Sequence, residues 1–356
     1  MRVVVLGGYG NFGARICRAL AADEGIEVVA AGRNPPESGA RLDLYAPDFP
    51  TALASLSPQI VVHCVGPFQG QDYRVAAATL AAGAHYLDLA DSREFVVRFA
   101  KHNDAKARAA KRIALTGAST LPAFSSAVID HLIKRLRSLE EIRIAIAPGQ
   151  RAPRGEATIA GVLSYAGRPF QWLSGGAWRK AWGWQELRRV QFVFGARWAA
   201  ACNVPDLELF PRRYTTVRTV EFRAALELGV QHAVLWLAAG LRRAGLRLPI
   251  ERWAGPLNRF ASLMDPFGSE RGGMVISLLG TRTDGTLVQI EWDLTADANH
   301  GPEIPCMAAI LLVRKLVRGE IPERGAFPCM GFLKLEEFES EFARWSIATQ
   351  TEERDA

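Results

Sequence analysis

Short apolar runs alternate with longer amphipathic stretches through the first third of the chain. Residues 3–6, 59–65 and 113–116 are the clearest of these runs. A strand that is covered on both faces has this continuously apolar pattern, because neither face meets water. The stretches between the runs have the periodicity of helices. The pattern predicts a doubly wound, parallel α/β sheet over residues 1–122.

Beyond residue 122 the alternation ends, and the pattern predicts a second, α+β domain over residues 123–300. Its clearest element is a hairpin of residues 274–279 and 287–294, because the Asp-Gly pair between them suits turn positions with positive φ. Apolar helices are predicted over residues 224–246 and 252–264. Further helices are predicted near residues 305–318 and 335–345.

The first apolar strand leads directly into the pattern G-x-G-x-x-G, formed by Gly8, Gly10 and Gly13. In this pattern Gly8 allows a sharp turn and Gly10 removes a side chain that would block a pyrophosphate. Gly13 allows the helix predicted over residues 12–22 to lie close to the strand. The N–H groups of the first helical turn and the helix dipole complete an anion site. The motif therefore predicts a dinucleotide site.

The second strand, residues 27–31, is followed by Gly32, Arg33 and Asn34. NAD enzymes usually place Asp or Glu here to accept hydrogen bonds from the adenosine ribose. A guanidinium instead binds a 2′-phosphate with two hydrogen bonds and stacks on adenine. Arg33 therefore predicts NADP(H) as the cofactor; the alternative is an ordinary surface arginine.

Length and composition narrow the class of protein. The chain has 356 residues, of which 49% are hydrophobic, enough for two domains with apolar cores. No apolar run reaches the length of a membrane span. The cysteines are odd in number, widely spread and match no zinc spacing. We expect a cytoplasmic protein without metal.

The net charge of +6 comes from residues 151–200, which hold eight Arg or Lys, two Glu and five of the nine Trp. Such a segment could bind nucleic acid or an anionic membrane surface. Our interpretation is that Trp and Arg alternate along half-buried strands, without a nucleic-acid partner. The helix predicted over residues 224–246 ends near Arg242, Arg243 and Arg247, so it fits either a membrane surface or burial at a domain or dimer interface.

Four motifs at predicted strand ends resemble, in order and spacing, the saccharopine dehydrogenase-like family of NADP-binding proteins. They are Gly7-Gly-Tyr-Gly-Asn-Phe-Gly13, Cys64-Val-Gly-Pro-Phe68, Gly83-Ala-His-Tyr-Leu-Asp88 and Gly117-Ala-Ser-Thr-Leu-Pro-Ala123. The resemblance covers roughly the first 130 residues. It implies an N-terminal Rossmann domain that binds NADP(H), an α+β domain that often mediates dimerisation, and C-terminal helices, here residues 301–356, that pack back on the Rossmann domain.

The resemblance also implies roles for single residues. Gly8, Gly10 and Gly13 would line the pyrophosphate, with the amides of Asn11 and Phe12 as donors. The remaining cofactor contacts would be Arg33 at the adenosine phosphate, Asp43 near adenine, and Gly66 and Pro67 beside the nicotinamide ribose. Asp88 and Ser119 would face the cleft.

The resulting hypothesis is an NADP(H)-dependent oxidoreductase that acts on a C–N or carbonyl bond of an unidentified small metabolite. Asp88 and Tyr86, on one side of a predicted strand, are candidates for proton transfer. Ser119 and Thr120 are candidates for substrate binding. No Tyr is followed four residues later by Lys, so the short-chain dehydrogenase pair is absent. The alternative is a non-catalytic NADP(H)-binding sensor or assembly protein.

Overall fold

The computed structural model describes residues 1–36, 39–246 and 248–356, so Arg247 lies outside the described residues. The chain forms two compact units. The first unit combines Met1–Ala127 with Pro302–Phe338. The second combines Val128–Gly301 with Glu339–Ala356.

The strands and helices are numbered along the chain. The strands are β1 (Arg2–Leu6), β2 (Glu27–Gly32), β3 (Ala40–Arg41), β4 (Ile60–His63), β5 (His85–Asp88), β6 (Ile113–Thr116), β7 (Ser138–Ala147), β8 (Pro169–Ser174), β9 (Ala177–Trp182), β10 (Arg188–Phe192), β11 (Gly195–Ala201), β12 (Thr219–Ala224), β13 (Gly272–Thr281), β14 (Leu287–Ala296), β15 (Gly325–Pro328) and β16 (Ile347–Asp355). The helices are α1 (Asn11–Ala21), α2 (Phe49–Ser55), α3 (Arg74–Ala81), α4 (Arg93–Ala109), α5 (Ser125–Leu132), α6 (Glu156–Tyr165), α7 (Asp206–Arg213), α8 (Gly229–Arg243), α9 (Ala254–Leu263), α10 (Ile304–Val317) and α11 (Leu335–Phe342).

A seven-stranded sheet forms the centre of the first unit, in the order β15-β6-β5-β4-β1-β2-β3. Every neighbouring pair is parallel, which confirms the predicted doubly wound sheet. The apolar runs are buried as expected; Val3, Val4 and Val5 are fully enclosed. From β1 the chain first builds β2 and β3 on one side and then continues with β4 on the other. Ligands of open α/β sheets bind where the strand order reverses in this way.

Part of the C-terminal segment completes the first unit. The strand β15 pairs with β6, and α10 packs against α1. Arg314 Nε lies 2.7 Å from a carboxylate oxygen of Asp23 on the chain after α1. Pro302–Phe338 therefore belongs with the Rossmann sheet.

The end of the chain differs from the helical segment that we predicted for residues 301–356. Residues 347–355 form β16, which pairs antiparallel with β14 in the second unit. Only two of its residues, Ile347 and Ala348, are apolar, so the strand has no hydrophobic alternation to reveal it. Its pairing depends on a partner strand far away in sequence.

A mixed sheet in the order β10-β11-β12-β7-β13-β14-β16 forms the second unit, with β8 and β9 attached to β12. The predicted hairpin is confirmed as β13 and β14. Its turn has Gly285 at φ 90°, and the Asp284 carboxylate accepts the Thr286 N–H at 2.9 Å. The helix predicted from residue 224 begins only at Gly229, because residues 219–224 pair with β7 as β12.

The tryptophans of residues 151–200 differ in burial. Trp172 and Trp184 are buried, whereas Trp178 and Trp198 are 48% and 57% exposed. Our interpretation of inward Trp and outward Arg therefore holds for only part of the segment.

Burial in the second sheet gives a stability prediction. Leu278 on β13 is fully buried, and Leu287 at the start of β14 is 39% exposed. We expect Leu278→Ala to lower the free energy of unfolding by about 3–5 kcal/mol, since it removes buried methyl groups and leaves a cavity. The matched control Leu287→Ala should cost less than about 1 kcal/mol. Urea unfolding measures both free energies. Equal losses in the two variants would contradict the burial of Leu278 in this core.

Candidate functional site

The turn after β1 is tied to the neighbouring strand. The N–H groups of Gly7 and Gly8 both donate to the Ala31 carbonyl on β2, at 2.8 and 3.2 Å. The left-handed φ of this turn, 76°, belongs to Gly7 and not to Gly8, to which the sequence analysis assigned the sharp turn. Gly8 is required for space instead, because a Cβ there would lie 2.8 Å from the Ala30 Cβ.

The start of α1 lies very close to this turn. A Cβ on Gly13 would lie only 2.2 Å from the Gly7 carbonyl oxygen, so any larger residue would push the helix away. Gly10 is exposed, and its N–H donates to the Gly7 carbonyl at 2.9 Å. Gly10 is also the N-cap residue of α1, so no side chain caps the start of the helix. The N–H groups of a first helical turn lack intrahelical acceptors and attract anions.

The next polar groups follow β2 and β3, which are adjacent parallel strands. Arg33 is exposed, and its guanidinium makes no hydrogen bond or ion pair with the described residues. The strand β3 ends at Arg41, so Asp43 lies in the turn after it. The Asp43 carboxylate accepts the Tyr45 N–H at 3.0 Å. Tyr9 lies beside them, with its hydroxyl donating to the Ala30 carbonyl at 2.7 Å.

The loop after β4 contains Gly66 and Pro67 and is held by Gln71. The Gln71 amide nitrogen donates to the carbonyls of Val65 and Pro67 at 2.8 and 2.7 Å. Its oxygen lies 3.2 Å from Nε2 of the buried His63. Burial lowers the pKa of His63 to about 4, so the ring is neutral near pH 7. No sequence motif marks Gln71 as a site residue, because its role depends on the geometry of the loop.

Asp88 joins the ends of β5 and β6. Its Oδ1 accepts three hydrogen bonds, from Thr116 Oγ1 at 2.9 Å, the Gly117 N–H at 2.8 Å and the Ala90 N–H at 3.0 Å. Its main-chain carbonyl accepts the Ala118 N–H at 2.7 Å. The side chain is completely buried. This carboxylate therefore fastens the loop that leads to Ser119.

Tyr86 is also completely buried, and its ring stacks on Phe99 with centroids 5.6 Å apart. Neither the Tyr86 hydroxyl nor Asp88 Oδ2 reaches a partner at hydrogen-bonding geometry in the described part of the chain. Burial raises the pKa of Asp88 to about 6, although the Gly117 N–H, the Ala90 N–H and the Thr116 hydroxyl partly offset the shift. Burial also raises the pKa of Tyr86 well above its usual value. Both groups are therefore enclosed by protein, and their role in proton transfer stays a prediction.

Ser119 and Thr120 follow a turn that requires a glycine. Gly117 has φ 75°, and a Cβ there would lie 2.4 Å from Pro122 Cδ. The Ser119 carbonyl accepts the Phe124 N–H at 3.2 Å. The hydroxyl groups of Ser119 and Thr120 form no hydrogen bonds with the described residues, so their hydrogen-bonding capacity is unused within this part of the chain.

No cluster of His, Cys, Asp and Glu suited to a metal ion occurs within residues 1–36, 39–246 and 248–356. Over the same ranges, no helix is both long and apolar enough to cross a bilayer.

A parallel sheet with a glycine turn at its switch point defines the Rossmann class of folds. Among solved structures the chain is similar to apo saccharopine dehydrogenase (L-Glu forming) from Saccharomyces cerevisiae, with a TM-score of 0.67, 12% identity and 99% of each chain covered. It is also similar to C. glutamicum DAP dehydrogenase in complex with DAP, with a TM-score of 0.51 and 15% identity over 96% of this chain and 98% of that chain. An engineered D-amino acid dehydrogenase bound to NADP+ gives a TM-score of 0.51 and 14% identity over the same shares.

The chain thus has the saccharopine dehydrogenase-like Rossmann fold. No protein-family model matches the sequence, and no curated protein is detectably related to it.

The perturbed carboxyl of Asp88 gives a pH prediction. An unfolded Asp ionises near pH 4, whereas folded Asp88 holds its proton up to about pH 6. Its contribution to stability is therefore fully present below about pH 4 and is lost as the pH rises through about 6. We expect Asp88→Asn, which keeps an acceptor oxygen, to remove this fall from urea-unfolding free energies measured between pH 4 and 8.

The Asp43→Asn variant, at an exposed position, is the control for replacing a carboxylate by an amide. Asp293 in the second unit also has its pKa raised to about 6 by burial, so the difference between wild type and variant is the informative quantity. If the unfolding free energies of the wild type and Asp88→Asn differ by the same amount at every pH, Asp88 is not the group with the raised pKa.

Proposed function

We propose that the protein is an NADP(H)-dependent oxidoreductase that transfers hydride to or from a C–N or carbonyl bond of a small metabolite. The observation that carries this proposal is the arrangement at the ends of β1 and β2. There a glycine turn with Gly10 exposed, a helix N-terminus and the exposed Arg33, which pairs with no acid among the described residues, follow adjacent parallel strands.

The similar structures support the choice of chemistry. One is a D-amino acid dehydrogenase that holds NADP+, and another is a DAP dehydrogenase that holds DAP. Both names denote dehydrogenases of amino acids. An amino or imino compound is therefore the first substrate class to test.

The residues of the first unit suit the parts of the cofactor. We assign Gly8, Gly10 and Gly13 to the pyrophosphate, where the absence of Cβ atoms and the amides of Asn11 and Phe12 provide an open anion site. Arg33 would bind the 2′-phosphate and Asp43 would lie near adenine. Gly66 and Pro67, held by Gln71, would border the nicotinamide ribose. When bound, the nicotinamide supplies the hydride chemistry.

We assign Asp88 a positioning role in place of direct proton transfer. Its three hydrogen bonds hold Thr116 and Gly117, and through them the loop that carries Ser119 and Thr120. The two hydroxyl groups would bind and orient the substrate. Tyr86 would support this end of β5 through the stacking of its ring on Phe99.

A non-catalytic NADP(H) sensor or assembly protein is the second candidate. It is favoured by the burial of both proposed proton-transfer groups, Tyr86 and Asp88.

Three further properties stay predictions: a cytoplasmic location, a homodimer and the absence of a nucleic-acid partner.

Calorimetric titration with NADPH and NADH tests the cofactor. We expect tighter binding of NADPH, and Arg33→Ala should weaken NADPH binding roughly 10- to 100-fold, the effect of losing charge-assisted hydrogen bonds to a phosphate. NADH binding should change little. The control is Arg41→Ala, an exposed arginine on the adjacent strand β3. Equal or tighter binding of NADH by the wild type would overturn the preference.

The rate of NADPH oxidation, measured with a panel of candidate substrates, tests the reaction. The panel contains 2-oxo acids plus ammonium, ketones and aldehydes. We expect Ser119→Ala and Thr120→Val each to lower kcat/KM about tenfold, a typical effect of one lost hydrogen bond, with unchanged NADPH affinity. Asp88→Asn should retain most activity, whereas Asp88→Ala should lose it because three donors lose their acceptor.

Two results would contradict these roles. Turnover with no member of the panel, despite tight NADPH binding, would favour the sensor. Loss of activity in a folded Asp88→Asn variant would restore a direct proton-transfer role for Asp88.

A further inference from the structure

The outer side of α8 in the second unit is apolar. Val230, Val234, Leu237 and Leu241 are 63%, 48%, 57% and 48% exposed. Their spacing of four, three and four residues places them on one side of the helix, where a surface helix normally carries polar residues. His232 and Ala239 on the inner side are buried. The helix is therefore covered on one side only.

A second apolar stripe follows on α9 and the turns at its two ends. Trp253, Phe260, Leu263 and Phe267 are 42%, 45%, 75% and 74% exposed. Ten of the eighteen large apolar side chains that are exposed in the described chain lie between residues 230 and 267. Single exposed apolar residues are ordinary, but such a concentration marks an interaction surface. We call residues 230–267 the apolar segment.

The exposed charged side chains in the described part of the apolar segment are all positive. They are Arg243, Arg252 and Arg259. Neither Arg252 nor Arg259 forms an ion pair with the described residues. The two acids of the segment are already paired, since Glu251 lies 2.6 Å from Arg242 and Asp265 pairs with an arginine outside the segment.

We propose that the apolar segment binds the surface of a membrane that contains anionic phospholipids. Exposed Trp, Phe and Leu beside arginines are the composition of helices that lie in the membrane interface. The apolar side chains would enter the boundary between headgroups and acyl chains, and the arginines would meet lipid phosphates. With 15 residues, α8 is about 22 Å long and shorter than the roughly 30 Å hydrocarbon core, so it would lie on the membrane.

A second copy of the chain suits this surface less well. In a two-fold interface a patch meets its own copy. The arginines of one copy would then meet those of the other, and no unpaired acid of the described segment is available to neutralise them. An anionic surface supplies that missing charge.

Co-sedimentation of the full chain with vesicles tests the proposal. We expect binding to vesicles of equal parts phosphatidylglycerol and phosphatidylcholine, weakened by salt, and little binding to pure phosphatidylcholine. The double variant Leu263→Glu, Phe267→Glu should bind at least tenfold more weakly. The double variant Arg252→Gln, Arg259→Gln should bind roughly 20-fold more weakly, since each arginine near an anionic surface contributes about fivefold.

Val193→Glu is the matched control, because Val193 is 52% exposed in the second unit but lies outside the apolar segment. It should bind vesicles like the wild type. Melting temperature and NADPH affinity, measured on every variant, separate lost binding from unfolding. Absence of binding to the anionic vesicles, or binding by both double variants that equals that of the wild type, would overturn the proposal. A dimer in light scattering that Leu237→Glu dissociates, without vesicle binding, would assign the segment to a second copy instead.

Discussion

The close approach of α1 to the end of β1 is the constraint on which the proposed cofactor site depends. A side chain at Gly13 would overlap the Gly7 carbonyl, and Gly7 and Gly8 are tied by hydrogen bonds to the end of β2. The helix N-terminus is thereby held against two strand ends at once. Because Arg33 follows β2 directly, the same contact determines how far the guanidinium lies from the anion site. A shift of α1 would move its N-terminus away from the Arg33 guanidinium, and the proposed dinucleotide has to contact both.

A buried carboxylate performs a similar task at the ends of β5 and β6. Removing Asp88 from water is costly, and the three donors on Oδ1 offset that cost. The result is a loop whose main chain is specified by a polar group rather than by apolar packing. The second carboxylate oxygen, Oδ2, is enclosed and has no partner among the described residues. Under the proposed function, Asp88 therefore holds the loop in place, and the loop presents the hydroxyl groups of Ser119 and Thr120 to the substrate.

The features that the sequence predicts well are local. The strands β1, β4 and β6 follow from consecutive apolar residues, and the β13–β14 hairpin follows from alternation around Asp284-Gly285. Strands such as β16 escape prediction because their partners are distant in sequence and their own residues are mainly polar. Tyr86 and Asp88 illustrate a different limit. Alternation places them on one side of β5, but both sides of a central parallel strand are buried, so the pattern does not tell which polar group reaches solvent.

Arginines without partners connect the two proposals. Many arginines of this chain lie beside a carboxylate, as Arg15 does with Glu303 and Arg314 with Asp23, and such pairs are satisfied inside the fold. Arg33, Arg252 and Arg259 have no acidic partner among the described residues. An exposed guanidinium is well solvated and needs none, so the lack of a partner has meaning only beside a second feature that selects a ligand. For Arg33 that feature is a helix N-terminus beside a glycine turn, to which the proposed function assigns the pyrophosphate of the same dinucleotide. For Arg252 and Arg259 it is a row of exposed apolar side chains, which selects a surface that is both apolar and anionic. The same cation thus indicates different ligands, because its neighbours determine what else the ligand must satisfy.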